Sequence, residues 1–138
     1  MTGVQTCALP IYQDRHRHGT ALTDDLRAAM ELAAGRDLKP FFTQWLTRPG
    51  FPEVEATWRF DAAKGTLALT VAQAAAFGLF SFPLTVEFTD AGGRPHRSRL
   101  VIPAQRESTF TLNTGLTAAP RGFRVDPDAA LLARITTR

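Results

Sequence analysis

The segment Pro49-Gly50-Phe51-Pro52 divides the chain into two parts whose apolar residues have different spacing. Before this segment, apolar residues recur as they do along one face of a helix. After it, they alternate with polar residues in short runs separated by turn-forming residues, as in strands with one buried face. Two closely spaced prolines interrupt either structure because proline lacks the backbone N–H that both structures use. The sequence therefore predicts an α+β chain with a helical part over residues 12–50 and a β part over residues 51–138.

Two short helices are predicted in the first part. Thr23 is expected to cap the first helix, whose first turn then carries two aspartates where the helix dipole favours acids. Gly35 is expected to end this helix, and Asp37 to cap the second one. Residues 13–20 have the composition of the polar tail of an earlier helix.

The second predicted helix has an unusually bulky apolar face. Its members are Leu38, Phe41, Phe42, Trp45 and Leu46. A helix of about ten residues with such a face must be covered by more than one short neighbouring helix. Because the aromatic residues have helical spacing, we interpret them as core and not as a ligand cage.

Seven strands are predicted after the break, at the spacing expected of a small antiparallel β-sandwich. They lie near Val54–Phe60, Thr66–Gln73, Phe82–Thr89, His96–Ile102, Ser108–Asn113, Phe123–Asp126 and Ala130–Ile135.

The composition excludes several classes of protein. Sixteen Lys and Arg residues against 13 Asp and Glu give a net charge of +3. The basic residues are dispersed along the chain, so no nucleic-acid partner is expected. No apolar run reaches the eighteen or so residues of a membrane span, so no membrane span is expected. Cys7 is the only cysteine, which excludes an internal disulfide and a cysteine-cluster zinc site.

The titratable residues have simple structural interpretations. His16 and His18 lie two positions apart, which on a helix directs them to different faces and makes a shared metal ion unfavourable. Asp24 and Asp25 are explained as acids at a helix start and not as a catalytic carboxylate pair. The Asp126-Pro127-Asp128 segment has too few neighbouring oxygen donors for calcium.

The remaining candidate catalytic residues, a histidine and two serines, also lack the neighbours that a site requires. His96 follows a glycine turn and is interpreted as a surface strand residue. Ser81 and Ser108 have no histidine at the spacing of a known nucleophile motif. We therefore predict no catalytic, cofactor-binding or metal-ligating residue in this chain.

An ordered series of short motifs carries a family resemblance. It consists of Thr23-Asp24-Asp25-Leu26, Ala34-Gly35-Arg36-Asp37-Leu38, Phe41-Phe42-x-Gln44-Trp45, Gly50-x-Pro52 and Val125-Asp126-Pro127-Asp128. The series resembles the end of the catalytic domain and the following β-sandwich domain of the aminopeptidase N-like zinc metallopeptidases, which are gluzincins. Trp58, residues 67–73 and Phe82-Pro83-Leu84 are similar to the first strands of that sandwich. The resemblance spans residues 13–133.

The resemblance implies that the zinc ligands and the substrate-binding residues lie outside this chain. In that family a helical H-E-x-x-H motif and a glutamate from the next helix hold zinc, and a G-x-M-E-N loop binds the free amine of the substrate. Residues 12–138 contain neither motif. The resemblance therefore implies a non-catalytic C-terminal portion of a zinc aminopeptidase, inactive alone, whose partner is the missing catalytic domain in cis. Zinc and peptide substrates would belong only to the intact parent.

The same resemblance assigns the domains. Residues 12–50 would be the helical end of a thermolysin-like catalytic domain, and residues 51–138 an immunoglobulin-like sandwich that supports it. Residues 1–11 resemble the in-frame translation of a common sequencing-library adapter, which also puts the identity of Tyr12 in question. We therefore expect residues 1–11 to be extraneous and disordered. Without the native N-terminus of the parent, the sequence does not indicate where in the cell the parent is located.

An alternative interpretation is a free-standing β-sandwich that acts as a binding or adhesion module. Such a module needs exposed aromatic side chains on a sheet face or a loop. Trp58, Phe77 and Phe80 are the available candidates, and Trp58 fits the inward alternation of its strand.

Overall fold

The computed structural model describes the backbone of residues 2–138 and the side chains of residues 8–138. The chain forms two compact units, one ending at Pro49 and the other spanning Gly50–Arg138. The first unit is helical and the second consists of two β-sheets. This arrangement agrees with the predicted α+β class. No helix among the described residues is long and apolar enough to cross a membrane.

The first unit contains three α-helices. Helix α1 covers Thr2–His16, α2 covers Thr23–Ala34, and α3 covers Lys39–Phe42 and continues into a π-helical turn at Thr43–Thr47. Helix α1 packs against α2. Residues 2–11, part of the segment expected to be disordered, lie in this helix. Ala8 is buried, and such burial stabilises a helix that local composition alone does not require.

The start of α2 differs from the prediction by one residue. Thr23 is the first helical residue and not the cap. The cap position is Leu22, whose N–H donates to the Asp25 carboxylate at 2.8 Å, so the acid at the third helical position performs the capping. Gly35 ends the helix as predicted, with a φ of 62° that favours glycine.

The cap of α3 is shared between two residues. Leu38 occupies the cap position, while Asp37 accepts a hydrogen bond from the Lys39 N–H at 2.8 Å. Asp37 therefore satisfies a free amide at the helix start, as predicted, from one position earlier.

The second unit has seven strands in two sheets. Their bounds are β1 Glu53–Asp61, β2 Thr66–Ala74, β3 Phe82–Thr89, β4 Pro95–Ile102, β5 Glu107–Asn113, β6 Gly122–Val125 and β7 Arg134–Thr137. One sheet has the order β5-β2-β1-β7 and the other the order β4-β3-β6. All strand pairs are antiparallel except β1 with β7, which is parallel. The prediction of a purely antiparallel sandwich is therefore wrong for this pair.

The last strand is also later than predicted. A turn held by Asp126 occupies the region where the strand was expected to begin: its carboxylate accepts the N–H groups of Ala130 and Leu131, each at 3.0 Å. The strand pairs only from Arg134 onward, in register with Glu53 of β1.

Alternating side chains from both sheets form the core of the second unit. Leu67, Leu69 and Val71 of β2 are almost fully buried, as are Leu84 and Val86 of β3. Trp58 of β1 stacks on Phe123 of β6 with ring centroids 5.3 Å apart, which joins one sheet to the other.

One buried hydroxyl in this core makes no hydrogen bond. Ser108 Oγ is inaccessible to solvent and has no partner among the described residues. We predict that Ser108→Ala raises the free energy of unfolding by about 1 kcal/mol, because it removes a desolvated polar group. Urea unfolding of both proteins measures the change.

Ser81→Ala is the matched control. Ser81 Oγ donates to the Ile102 carbonyl at 3.1 Å, so its loss is expected to lower stability. A Ser108→Ala protein that is as destabilised as Ser81→Ala would contradict the prediction.

Candidate functional site

The structure does not assemble a metal site from the described residues. No group of three or more His, Cys, Asp or Glu side chains lies close enough together to hold an ion. The His16 ring lies against Tyr12, with centroids 5.1 Å apart, and His18 lies beyond the end of α1. The two histidines are therefore not brought to a common point.

The carboxylates considered as catalytic or metal-binding groups form ion pairs and backbone hydrogen bonds with nearby residues. Asp24 pairs with Arg27 at 3.2 Å. Asp128 forms a two-pronged ion pair with Arg97, with distances of 2.8 and 3.2 Å. Since Asp126 binds backbone amides, neither acid of the Asp126-Pro127-Asp128 segment presents a free pair of oxygens to a cation.

His96 has a defined environment at the tip of the β3–β4 hairpin. Its ring stacks on Phe88 with centroids 5.1 Å apart and an angle of 9° between the planes. Its Nε2 lies 2.9 Å from Asp90 Oδ2. The N–H groups of Gly92 and Arg94 donate to the other Asp90 oxygen at 2.8 and 2.9 Å. The hydrogen bond from His96 and those from these amides hold the pKa of Asp90 below its ordinary value.

The Asp90 carboxylate makes the free energy of unfolding depend on pH. A depressed pKa means that Asp90 stabilises the fold at neutral pH, and that this contribution is lost as the pH falls through the folded-state pKa. We predict that Asp90→Asn flattens the decline of the free energy of unfolding between pH 7 and pH 2.5. Urea titrations across this range measure it.

His96→Gln separates the contribution of His96 to the depressed pKa of Asp90 from that of the backbone amides. It removes the largest contribution but leaves the two amides, so an intermediate acid dependence is expected. An Asp90→Asn protein with the same acid dependence as the parent chain would contradict the assignment.

A third ionic cluster lies across β3, β4 and β6. Arg97 Nε donates to Glu87 at 2.7 Å, and Arg124 lies 3.6 Å from the same carboxylate. Glu87 is only 9% exposed, so its negative charge requires these partners. With Asp128, which also pairs with Arg97, the cluster contains two guanidinium groups and two carboxylates, and it binds neighbouring strands together.

The serines and aromatic residues do not form a site. Ser81 donates to a backbone carbonyl, and Ser108 is buried. Phe80 is fully buried, which is incompatible with the loop-edge role considered for it, while Phe77 is 43% exposed. Trp58 packs on Phe123, as its alternation predicted. The binding-module interpretation therefore loses two of its three aromatic candidates.

The bulky face of the first unit is only partly core. Leu38 and Phe42 are buried, but Phe41 is 42% and Leu46 60% exposed. Phe41, one of the three aromatic residues interpreted as core, is therefore not buried in the described part of the chain. A face this bulky needs more cover than the short helices beside it supply.

An open groove of about 390 Å³ lies between α2 and the turn at Thr43–Thr47. Leu22, Phe42 and Leu46 supply its apolar walls, and Asp24, Arg27, Lys39 and the hydroxyl-bearing Thr23, Thr43 and Thr47 complete it. The sequence analysis did not predict this groove, because its walls come from two elements whose relative placement the apolar pattern does not indicate.

Glu31 fixes the geometry of the groove. Its carboxylate accepts the Leu38 N–H at 3.0 Å, which ties α2 to the start of α3. Both oxygens also accept Arg27 Nη1 at 3.0 Å. The bond from the Leu38 amide and the Arg27 guanidinium hold the pKa of Glu31 below its ordinary value.

Gln73 is a second feature that sequence reasoning missed. Its side chain is 5% exposed and lies between the two sheets. Its amide donates to the carbonyls of Phe80 at 2.9 Å and Pro103 at 3.1 Å, and its oxygen accepts the Phe80 N–H at 3.0 Å. Gln73 therefore has a structural role in the described part of the chain.

Known proteins similar to this chain are aminopeptidases. No family model matches the chain. Aminopeptidase N of Lactobacillus helveticus is 40% identical over 65 residues, which are 47% of this chain and 7% of that protein. Aminopeptidase N of Lactococcus lactis subsp. cremoris is 35% identical over 48 residues, which are 35% of this chain and 6% of that protein.

A solved structure shares the fold. The crystal structure of Legionella pneumophila aminopeptidase A in complex with aspartic acid matches with a TM-score of 0.78 and 16% identity, over 95% of this chain and 15% of that one. The chain spans no more than 7% of the length of the curated relatives it matches. These findings support an aminopeptidase-related fragment whose fold is that of one part of the Legionella protein.

Proposed function

We propose that this chain is a non-catalytic, C-terminal portion of a zinc-dependent aminopeptidase of the aminopeptidase N type. The observation that carries the proposal is the 40% identity to a short stretch of a far longer aminopeptidase. The fold of the chain adds support, because the likeness to the Legionella structure extends over both units. The parent would remove N-terminal residues from peptides, and this portion would support its catalytic domain.

The two units have separate roles in this proposal. The helical unit is the end of a thermolysin-like catalytic domain, and the second unit is an immunoglobulin-like β-sandwich that supports this domain. Two sheets with a common core and a change from helix to strand at Pro49/Gly50 support this division. Residues 1–11 are extraneous to the parent, which is bacterial like the relatives it matches.

Zinc does not fit the residues that the structure describes. The described residues include no cluster of potential ligands. His96 and Asp90 bind each other, and His96 Nε2 is engaged in that bond. We therefore assign zinc and the peptide substrate to the part of the parent outside residues 12–138.

We predict that the purified chain does not hydrolyse aminoacyl p-nitroanilides with or without added zinc. Calorimetric titration with zinc is expected to show no stoichiometric site. Release of p-nitroaniline that requires zinc and survives repurification would contradict the proposal. The His96→Gln protein is the control, because it would lose such activity if an unrecognised site used this histidine.

A further inference from the structure

Strand β5 forms one edge of the four-stranded sheet, and its outer side is open. The strand pairs with β2 on its inner side. Among the described residues, none forms a backbone hydrogen bond with the opposite side of β5. An open strand edge of this kind is a row of backbone N–H and C=O groups that can pair with a strand from another molecule.

The pairing of β5 with β2 shows which backbone groups point outward. The Gln73 N–H donates to the Arg106 carbonyl at 2.8 Å, and the Thr114 N–H donates to the Gly65 carbonyl at 3.0 Å. Because hydrogen-bonded and non-hydrogen-bonded residues alternate along an antiparallel pair, the even-numbered residues of β5 bond to β2. The residues whose backbone groups point outward are therefore Glu107, Thr109, Thr111 and Asn113.

The core is also open along this edge. Phe110 and Leu112 point into the sandwich and lie opposite Leu69 and Leu67 of β2. The two β2 residues are fully buried, but Phe110 and Leu112 are only half-buried. A strand added to the β5 edge would cover the exposed flanks of these two side chains, which is favourable because it removes apolar surface from water.

The other edge strands of the two described sheets have features that oppose such pairing. Strand β4 begins with a proline and presents Arg97 and Arg99 to solvent. Strands β6 and β7 have four residues each and carry Arg124 and Arg134. Prolines, charges and short strands at an edge prevent association. Strand β5 has seven residues and no proline, and its one charged residue is Glu107 at the first position.

The sequence of β5 is complementary to itself in the antiparallel direction. A two-fold axis at Phe110 places this residue opposite Phe110 of a second copy, in a non-hydrogen-bonded pair where side chains approach most closely. Thr109 then faces Thr111, and Glu107 faces Asn113. These are the residues with outward backbone groups, so each facing pair can exchange two N–H to carbonyl bonds, and no like charges meet.

We infer that the β5 edge is a self-association site through which two copies of this chain form one continuous sheet. Pairing along seven residues buries less surface than the roughly 1,600 Å² of a standard interface. The dimer is therefore weak, with a dissociation constant on the order of 100 μM. This inference concerns the chain itself and does not rest on the proposed function.

The test combines sedimentation equilibrium with amide hydrogen exchange of the full chain at about 10 μM and about 1 mM. We expect a monomer at the lower concentration and mostly dimer at the higher one. Exchange of the outward amides of Thr109 and Thr111 should slow about fourfold at the higher concentration. The amides of Phe110 and Leu112 are bonded to β2 at both concentrations, so they serve as internal controls.

Single variants test the contact. Thr111→Pro removes an outward N–H at an edge position where proline is tolerated, and it is expected to weaken dimerisation by more than tenfold. Thr111→Lys is expected to weaken it by about threefold or more, and it keeps the test decisive if the proline variant is unstable. Thr136→Lys is the matched control, because it adds the same charge at an exposed threonine on the β7 edge of the same sheet.

Double variants test the register of the pairing. Thr109→Lys/Thr111→Glu places opposite charges on facing residues of the two copies, so the dimer should be retained. Thr109→Lys/Thr111→Lys places like charges on the same facing residues, and it should weaken the dimer by more than tenfold.

Three results would overturn the inference. They are a monomer at every concentration, a dimer that neither Thr111→Pro nor Thr111→Lys weakens, and a dimer in which exchange at Thr109 and Thr111 is unchanged, since the contact would then lie elsewhere. None of these results depends on the parent being an aminopeptidase. The proposed function fails separately, if the coding sequence upstream of codon 13 does not encode a metallopeptidase.

Discussion

Gln73→Leu is expected to lower the free energy of unfolding by about 3 kcal/mol. The leucine fills a similar volume but removes three hydrogen bonds, which join the Gln73 side chain to the N–H and carbonyl of Phe80 and to the carbonyl of Pro103. Each of these bonds contributes roughly 0.5–1.5 kcal/mol. Because Gln73 joins one sheet to segments flanking the other, urea unfolding should remain a single transition at a lower midpoint.

Two further variants define the origin of this effect. Gln105→Leu is the control, since Gln105 is exposed and only its backbone N–H forms a hydrogen bond, with the Pro103 carbonyl. Gln73→Glu places a carboxylate against two carbonyl oxygens, so its stability should recover as the pH falls and the acid becomes a donor. A Gln73→Leu protein as stable as Gln105→Leu would show that the amide bonds contribute nothing.

Gly50→Ala is expected to destabilise the second unit by roughly 2–4 kcal/mol. Gly50 has a φ of 82°, which disfavours any residue with a Cβ. A Cβ at this position would also overlap the side chain of Phe77. The ring would have to move away from Phe51, which it contacts with centroids 5.9 Å apart.

Gly93→Ala separates backbone strain from steric overlap. Gly93 has a similar φ of 85°, but a Cβ there meets nothing within 4 Å. Its variant is therefore expected to lose only about 1–2 kcal/mol. In the Gly50→Ala background, Phe77→Ala should cost less than it does alone because the overlap is gone. Equal losses for Gly50→Ala and Gly93→Ala in thermal unfolding would contradict the role of Phe77.

The strands were predictable because their signals are local. Alternation from Val54 to Phe60 and the run Phe82–Thr89 required only a period of two with flanking turns. The parallel pairing of β7 was not predictable in this way, since it depends on which sheet the last strand joins. The later start of β7 follows from the Asp126 turn, whose hydrogen bonds reach four and five residues along the chain.

The candidate site was harder to predict from the sequence than the strands. Gln73 follows Leu67, Leu69 and Val71 at inward positions of β2, and a polar residue at the end of such a series is a recognisable signal of a buried amide. The groove had no comparable signal, because its walls come from α2 and a π-helical turn whose relative placement depends on Glu31. The apolar spacing indicated only that Phe41 and Leu46 lie near a hydrophobic face.

The coding sequence upstream of codon 13 tests the central claim most directly. It is obtained from the source DNA by amplification without the adapter that residues 1–11 resemble. The proposal predicts an open reading frame that continues backward through codon 12 and encodes H-E-x-x-H, followed by a glutamate on the next helix. A stop codon close upstream of a genuine start near codon 12 would contradict it, and would leave an independent helix-and-sheet protein that is not part of a peptidase.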